Sequence, residues 1–359
     1  MNLDDLTHFQ QIDPEHMLGH IDGLPDQCWS AWQDVAQIRL PDAMRQVRQI
    51  MIAGMGGSAI GGDLVKVLAE PECAVSIEVL RGYELPAWVQ GPDILVIGSS
   101  HSGNTEETIT AFEQAGQRGA QRIAITSGGE LARLAEAAGV PVVPIGYRSQ
   151  PRAAAGYSFI TLVRLLVMLG LLADKEAELQ RAMDTLRRRR EFLTATSPVA
   201  RNPAKRLAGQ LVQRIPVVFG GGALAPVARR WKDQFNENAK TWSQFEEMPE
   251  LNHNLIAGVM FPAELMTRIA VIQLVSSFDH PRIRIRHDFT RTMLLQQGIA
   301  VDVVKASGDS LVAHLLTAIQ FGDYTSYYVA MAYAVDPTPI PPLVLLKEHL
   351  AQVGPERAG

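Results

Sequence analysis

The chain has 359 residues, 47% of them hydrophobic and 20% charged, which is ordinary for a globular protein and long enough for two lobes with separate cores. Its 33 basic and 38 acidic residues leave a formal charge of -5 with no long basic stripe, so nucleic acid is not expected as a partner. The two cysteines, Cys28 and Cys73, form neither a disulfide framework nor a Cys/His zinc spacing; a reducing cytoplasm and no metal are expected. Met1-Asn2-Leu3-Asp4-Asp5 lacks the order of a signal peptide, and no apolar run approaches the roughly 20 residues of a membrane span, so no membrane association is expected.

Apolar runs bounded by glycine alternate with helix-period segments, the pattern of parallel βαβ units. It predicts strands at Gln49–Ala53, 75–80, 94–98, 122–126 and 140–145, with helices at about 59–68, Glu106–Gln117 and 131–138 between them. Residues 1–155 therefore read as one doubly wound lobe with its loops at the strand C-termini. Residues 157–196 read as helical, and the run Arg187-Arg188-Arg189-Arg190 within them as a solvated helix face. Ile215-Pro-Val-Val-Phe-Gly-Gly-Gly-Ala-Leu-Ala then echoes Ile50-Met-Ile-Ala-Gly-Met-Gly-Gly-Ser-Ala-Ile, so residues 156–359 read as an internal duplication with Ala223 opposite Ser58. Strands at 282–286 and 300–304 are expected to complete it. The prolines of Asp336-Pro-Thr-Pro-Ile-Pro-Pro then fix the approach to a short helix at 343–350. The fold class is α/β: two doubly wound αβα sandwich lobes, each a parallel sheet flanked by helices.

Ser99-Ser100-His101-Ser102-Gly103-Asn104-Thr105 follows a strand and opens a helix, where the dipole and unpaired N–H donors favour an anion. Capping needs one hydroxyl, whereas Ser100, Ser102 and Thr105 supply three. The loop holds no lysine and Gly-Lys-Ser/Thr is absent, so it suits a monophosphate better than a magnesium-bound triphosphate. Gly54-Met55-Gly56-Gly57-Ser58-Ala59 has two readings. With Glu78 downstream it resembles a dinucleotide fingerprint; beside the hydroxyl loop, Ser58 instead donates to the same small phosphate and a pyrophosphate would be crowded.

Glu237 closes an amphipathic helix and His253 follows shortly after; a carboxylate and an imidazole near a lobe edge can act as base and acid. Each also has a plain reading, as a surface glutamate and a turn histidine, although Asn252 and Asn254 could fix the tautomer of His253. Arg152, after the last strand of the first lobe, is either an interlobe surface residue or a stabiliser of negative charge on a reacting sugar. Lys347, alone in an apolar helix, reads on physical grounds as a snorkelling surface residue.

These residues together resemble the bifunctional phosphoglucose/phosphomannose isomerase family, built from two sugar isomerase (SIS) domains. The resemblance is carried by Gly56-Gly57-Ser58, Ser100-x-Ser102-Gly103-Asn104-Thr105, Pro151-Arg152, Asn236-Glu237, Asn252-His253-Asn254, Gly322-Asp323-Tyr324 and Asp336-Pro-Thr-Pro leading to Leu346-Lys347. It implies a cofactor-free aldose-ketose isomerase acting on glucose 6-phosphate or mannose 6-phosphate and fructose 6-phosphate. By the resemblance Gly57, Ser58, Ser100, Ser102 and Thr105 hold the sugar phosphate. Glu237 shuttles the proton between C1 and C2, and Arg152 stabilises the cis-enediolate. His253 and Lys347 assist ring opening, the histidine crossing the interface of a homodimer. The chain departs from the pattern at His101, where tyrosine is more usual. No second hydroxyl-rich loop is evident, so one phosphate site per chain is expected. Other readings are an isomerase of another sugar phosphate, a nicotinamide-dependent dehydrogenase, and a non-catalytic sugar-phosphate-binding regulator. The last normally carries a DNA-binding module, and the short acidic N-terminal segment shows no basic recognition helix.

Overall fold

A computed structural model describes residues 2–353; Met1 and residues 354–359, the outer ends of the two segments assigned above, lie outside the described residues. The chain opens with helices α1 (Leu6–Ile12), α2 (Met17–Asp22) and α3 (Leu24–Val35). It continues through β1 (Gln49–Ala53), α4 (Gly56–Ala69), β2 (Ser76–Leu80), β3 (Ile94–Ser99), α5 (Glu106–Gln117), β4 (Gln121–Thr126), α6 (Gly129–Ala137) and β5 (Val142–Pro144). The strands form a parallel sheet in the order β2-β1-β3-β4-β5. β3 is buried at every position and β1 at all but its first, because helices cover both faces; hence the continuous apolar runs in place of alternation.

Helix α7 (Ala155–Met168) packs against α3 and α4, and is followed by α8 (Glu176–Leu193) and α9 (Pro203–Leu211). The second sheet is built from β6 (Ile215–Gly221), β7 (Gln244–Met248), β8 (Ile269–Val275) and β9 (Ala300–Lys305). Among these strands lie α10 (Ala225–Glu237), α11 (Ala263–Met266) and α12 (Pro281–Gln296). Its parallel order, β7-β6-β8-β9, repeats β2-β1-β3-β4 of the first sheet, so the duplication is real at the level of topology. Helix α13 (Leu311–Tyr333) is buried from Val312 to Met331 and packs against α8, α9 and α10 as well as α2 and α4, which ties the lobes together. α14 (Pro341–Val353) buries none of its residues.

Two expectations are corrected. Residues 282–286 lie in the first turns of α12, and the strand is Ile269–Val275 just upstream. The Arg-Ile-Arg-Ile-Arg alternation mimics a strand period, but Pro281 presets the first helical turn and His280 Nδ1 accepts from the Arg282 N–H at 3.1 Å. The residues this helix buries, Ile283, His287, Thr290 and Leu294, follow a helical spacing. The arginine run is not all solvated face: Arg189 donates to Ser307 Oγ (2.8 Å) and Arg190 to the Asp22 carbonyl (2.9 Å), leaving Arg187 and Arg188 exposed.

Candidate active site

β1 and β3 are neighbours, yet their following strands lie on opposite sides, so the crevice at their C-terminal ends is a topological switch point. The 56–58 turn and the 100–105 loop meet there. Ser100 Oγ and Thr105 Oγ1 share a hydrogen bond of 2.8 Å, and the Gly103 N–H donates to Ser100 Oγ at 3.1 Å. Thr105 stands at the N-cap of α5, but its side chain makes no cap bond. Ser102 is exposed and accepts from the Asn104 N–H at 3.3 Å, whereas Ser58 is buried in the first turn of α4.

Gly57 links this crevice to Arg152. A Cβ on Gly57 would come within 2.8 Å of the Pro151 carbonyl oxygen and 3.4 Å of Arg152 Cα, so the start of α4 and the arginine turn touch backbone to backbone. Gly57→Ala should therefore displace the Arg152 turn and lower kcat/KM by about 10-fold or more. Parent-like kinetics in the folded variant would refute that close approach as a requirement.

Arg152 is buried, and its Nε and Nη2 donors are engaged while those of Nη1 are not. Nε donates to Asn238 Oδ1 (2.8 Å), and Nη2 to the carbonyls of Pro337 (2.6 Å) and Thr338 (2.7 Å). Nη1 alone faces Glu237, whose Oε2 lies 3.6 Å away, too far for a hydrogen bond. The Glu237 side chain is 28% exposed. Burial holds its carboxyl above the ordinary glutamate range, opposed by the Arg152 charge. Lys240, in a left-handed backbone conformation, donates from Nζ to the Glu237 carbonyl (2.7 Å) and the Pro337 carbonyl (3.3 Å). Its ammonium is pulled down to about 8, mainly by burial and then by Arg152. α10, which ends in Glu237, also packs against α4.

Asn238, Arg230, Asp323 and Ser326 support this centre and were not singled out by residue chemistry alone. Asn238 is fully buried and donates to Ser326 Oγ at 3.0 Å. Arg230 Nη2 donates to the Arg152 carbonyl (3.0 Å) and to Asp323 Oδ2 (2.7 Å), whose Oδ1 accepts from Gln234 (3.1 Å). Beyond the Gly322-Asp323-Tyr324 motif, the polar residues Asp323 and Ser326 within the otherwise largely apolar α13 are the sequence signal for that pair. Thr338 Oγ1 is buried beside Arg152 without a partner.

The structure does not bring every expected residue to this point. His253 is exposed in a short 3-10 turn and joined to neither asparagine. Asn252 bonds Thr290 Oγ1 (2.7 Å) and Arg286 (3.3 Å), and Asn254 bonds Glu250 (2.9 Å) and the Leu255 N–H (2.6 Å), so they do not fix its tautomer. Lys347 is exposed on α14, with no hydrogen bond or ion pair to Glu237. Glu78 sits in mid-strand and pairs with Lys66 at 2.8 Å, a position unlike that of a ribose-binding acid at a strand end. Among the described residues no group of three His, Cys, Asp or Glu side chains is arranged to hold a metal, and no helix is long and apolar enough to cross a membrane.

Residues 200–350 match the family described as bacterial phospho-glucose isomerase C-terminal SIS domain. The chain is 38% identical over 338 residues to a bifunctional phosphoglucose/phosphomannose isomerase of Caldicellulosiruptor bescii, covering 94% of this chain and 99% of that protein. A protein of the same name from Aquifex aeolicus is 33% identical over 320 residues, 89% of this chain and 94% of the other. The C-terminal domain of glucosamine-fructose-6-phosphate aminotransferase from Francisella tularensis shares the fold with a TM-score of 0.73, over 90% of this chain and 98% of that one, at 14% identity. Sharing more than a third of its residues with a relative matched over almost its whole length, this chain belongs to the bifunctional phosphoglucose/phosphomannose isomerase family.

Proposed function

We propose that the chain is a cofactor-free aldose-ketose isomerase that interconverts glucose 6-phosphate and mannose 6-phosphate with fructose 6-phosphate in the cytoplasm. The observation that carries this reading is the Glu237 carboxylate facing the free Nη1 of the otherwise engaged Arg152, on a helix packed against the one that opens the hydroxyl-lined crevice. The substrate phosphate sits at the 56–58 turn against Ser58, Ser100, Ser102 and Thr105. Glu237 takes the C2 proton of the open-chain aldose and returns it to C1. Arg152 Nη1 stabilises the negative oxygen of the cis-enediolate between those steps. Ring opening falls to Lys347 and to His253 of the partner subunit in a homodimer; the exposed position of both side chains leaves them free to serve a site completed by assembly.

The testing experiment supplies fructose 6-phosphate in the presence of a chelator and follows the two aldose phosphates separately. Both products are expected. Glucose 6-phosphate alone would narrow the reading to one epimer, and neither product from the folded protein would overturn it. Because burial raises the Glu237 carboxyl, the acid limb of kcat/KM should lie above the titration of an exposed glutamate. Arg152→Met removes the opposing charge and should push that limb to still higher pH. A limb that stays put or moves down in a pH–rate profile would remove Glu237 from the role of base.

A further inference from the structure

We propose that the second lobe retains a phosphate cradle and that Asp279 keeps it closed, its carboxylate standing where the first lobe takes a phosphomonoester. The inference rests on the reading of the 56–58 turn as the substrate's phosphate site. Met55, before α4, and Gly221, before the 3-10 turn Gly222–Leu224 that leads into α10, have nearly the same backbone angles (φ -125, ψ 156 and φ -128, ψ 155), and the following Gly56 and Gly222 both turn left-handed, at φ +50 and +51. The structural counterpart of Gly56 is thus Gly222, one residue beyond the register that the sequence echo suggested. Buried Leu224, not Ala223, takes the place of Ser58.

The second loop matches too. α12 opens after His280 as α5 opens after Thr105, at the same distance beyond paired strand positions, which sets Ser276, Ser277 and Asp279 where His101, Ser102 and Asn104 stand. In that register Leu224, Val275 and His280 stand where Ser58, Ser100 and Thr105 do, so of those hydroxyls the second lobe keeps only that of Ser277, in line with the expectation of no second hydroxyl-rich loop. The Ser276 hydroxyl is engaged by His314 Nδ1 (2.8 Å) and the Phe278 N–H (3.0 Å).

A further difference between the lobes is what fills the turn. A Cβ built on Gly56 would meet nothing within 4 Å, whereas one built on Gly222 lies 3.5 Å from Asp279 Oδ1. Asp279 is 5% exposed, its Oδ2 accepts from the Ser276 N–H at 2.8 Å, and its Oδ1 has no partner. A carboxylate oxygen with no partner thus stands beside the Gly222 turn, where a phosphate would meet both an occupied space and a like charge.

Soaking crystals of the natural protein, Asp279→Gly and Asp279→Ser with inorganic phosphate, with equilibrium dialysis for the count in solution, tests this. The natural protein should hold one phosphate per chain, at residues 56–58, and each variant two, the new one against the N–H groups of Gly222–Leu224. Asp279→Ser retains a polar atom for the Ser276 N–H and decides the matter should Asp279→Gly not fold. Phosphate at Gly222 in the natural protein, or none there in a variant with native circular dichroism, overturns the proposal. An empty 56–58 turn would sink the substrate reading instead, with the Gly222 density still deciding this one.

Discussion

Glu237→Gln should lower kcat by about 10²–10⁴-fold, the usual contribution of a positioned acid or base, while phosphate affinity changes little because the hydroxyl loop belongs to another element. The same variant should unfold at higher urea concentration at pH 7. Burial raises the Glu237 carboxyl in the folded protein, so the native state holds that proton more tightly than the unfolded chain does. Ionisation therefore costs stability as pH rises through the two titrations, and no cost remains below the ordinary value of 4.5. Activity and stability should thus move in opposite directions at pH 7, with the stability difference closing in acid. A variant retaining activity within a few-fold of the parent would remove Glu237 from the reaction.

Asp323→Ala should cost about 3–5 kcal/mol, the range for breaking a buried ion pair from one side. It leaves Arg230, 2% exposed, without its hydrogen-bonded counter-charge, and its Nε already lacks a partner. Activity should fall with it, because the Arg230 guanidinium that holds the Arg152 carbonyl loses its anchor. The double variant Arg230→Met with Asp323→Leu separates the two effects. Apolar replacement of both partners should recover most of the urea midpoint, while kcat stays low because the Arg152 carbonyl has lost its donor. Full recovery of kcat in the double variant would show that the pair serves only the fold.

The lobe architecture was legible in residues whose physics is local. Buried parallel strands must be continuously apolar, which marked the strands of the first lobe; Glu106–Gln117 carried both its period and its boundaries. The cluster of three hydroxyls before that helix pointed to an anion site, because one cap needs only one. Local periodicity also misled where a short segment fitted two periods: Arg282 to Arg286 alternates like a strand, and Pro281 with the His280 cap decides for helix.

The sequence by itself determined the two doubly wound lobes, the hydroxyl-lined crevice and the candidacy of Glu237 and Arg152. Only the tertiary structure decided what those residues touch. That Arg152 gives two nitrogens to Asn238, Pro337 and Thr338 and keeps one for Glu237 depends on contacts between segments far apart in the chain. That Asp323 on α13 supports Arg152 through Arg230 depends on a helix packing between lobes. That an oxygen of Asp279 falls beside Gly222 likewise depends on how α12 and β6 are brought together. Composition and periodicity report which face of an element is buried, because that is set within a few residues. Which polar group meets which inside the fold is set by loop closure and packing across the whole chain, and no local pattern encodes it.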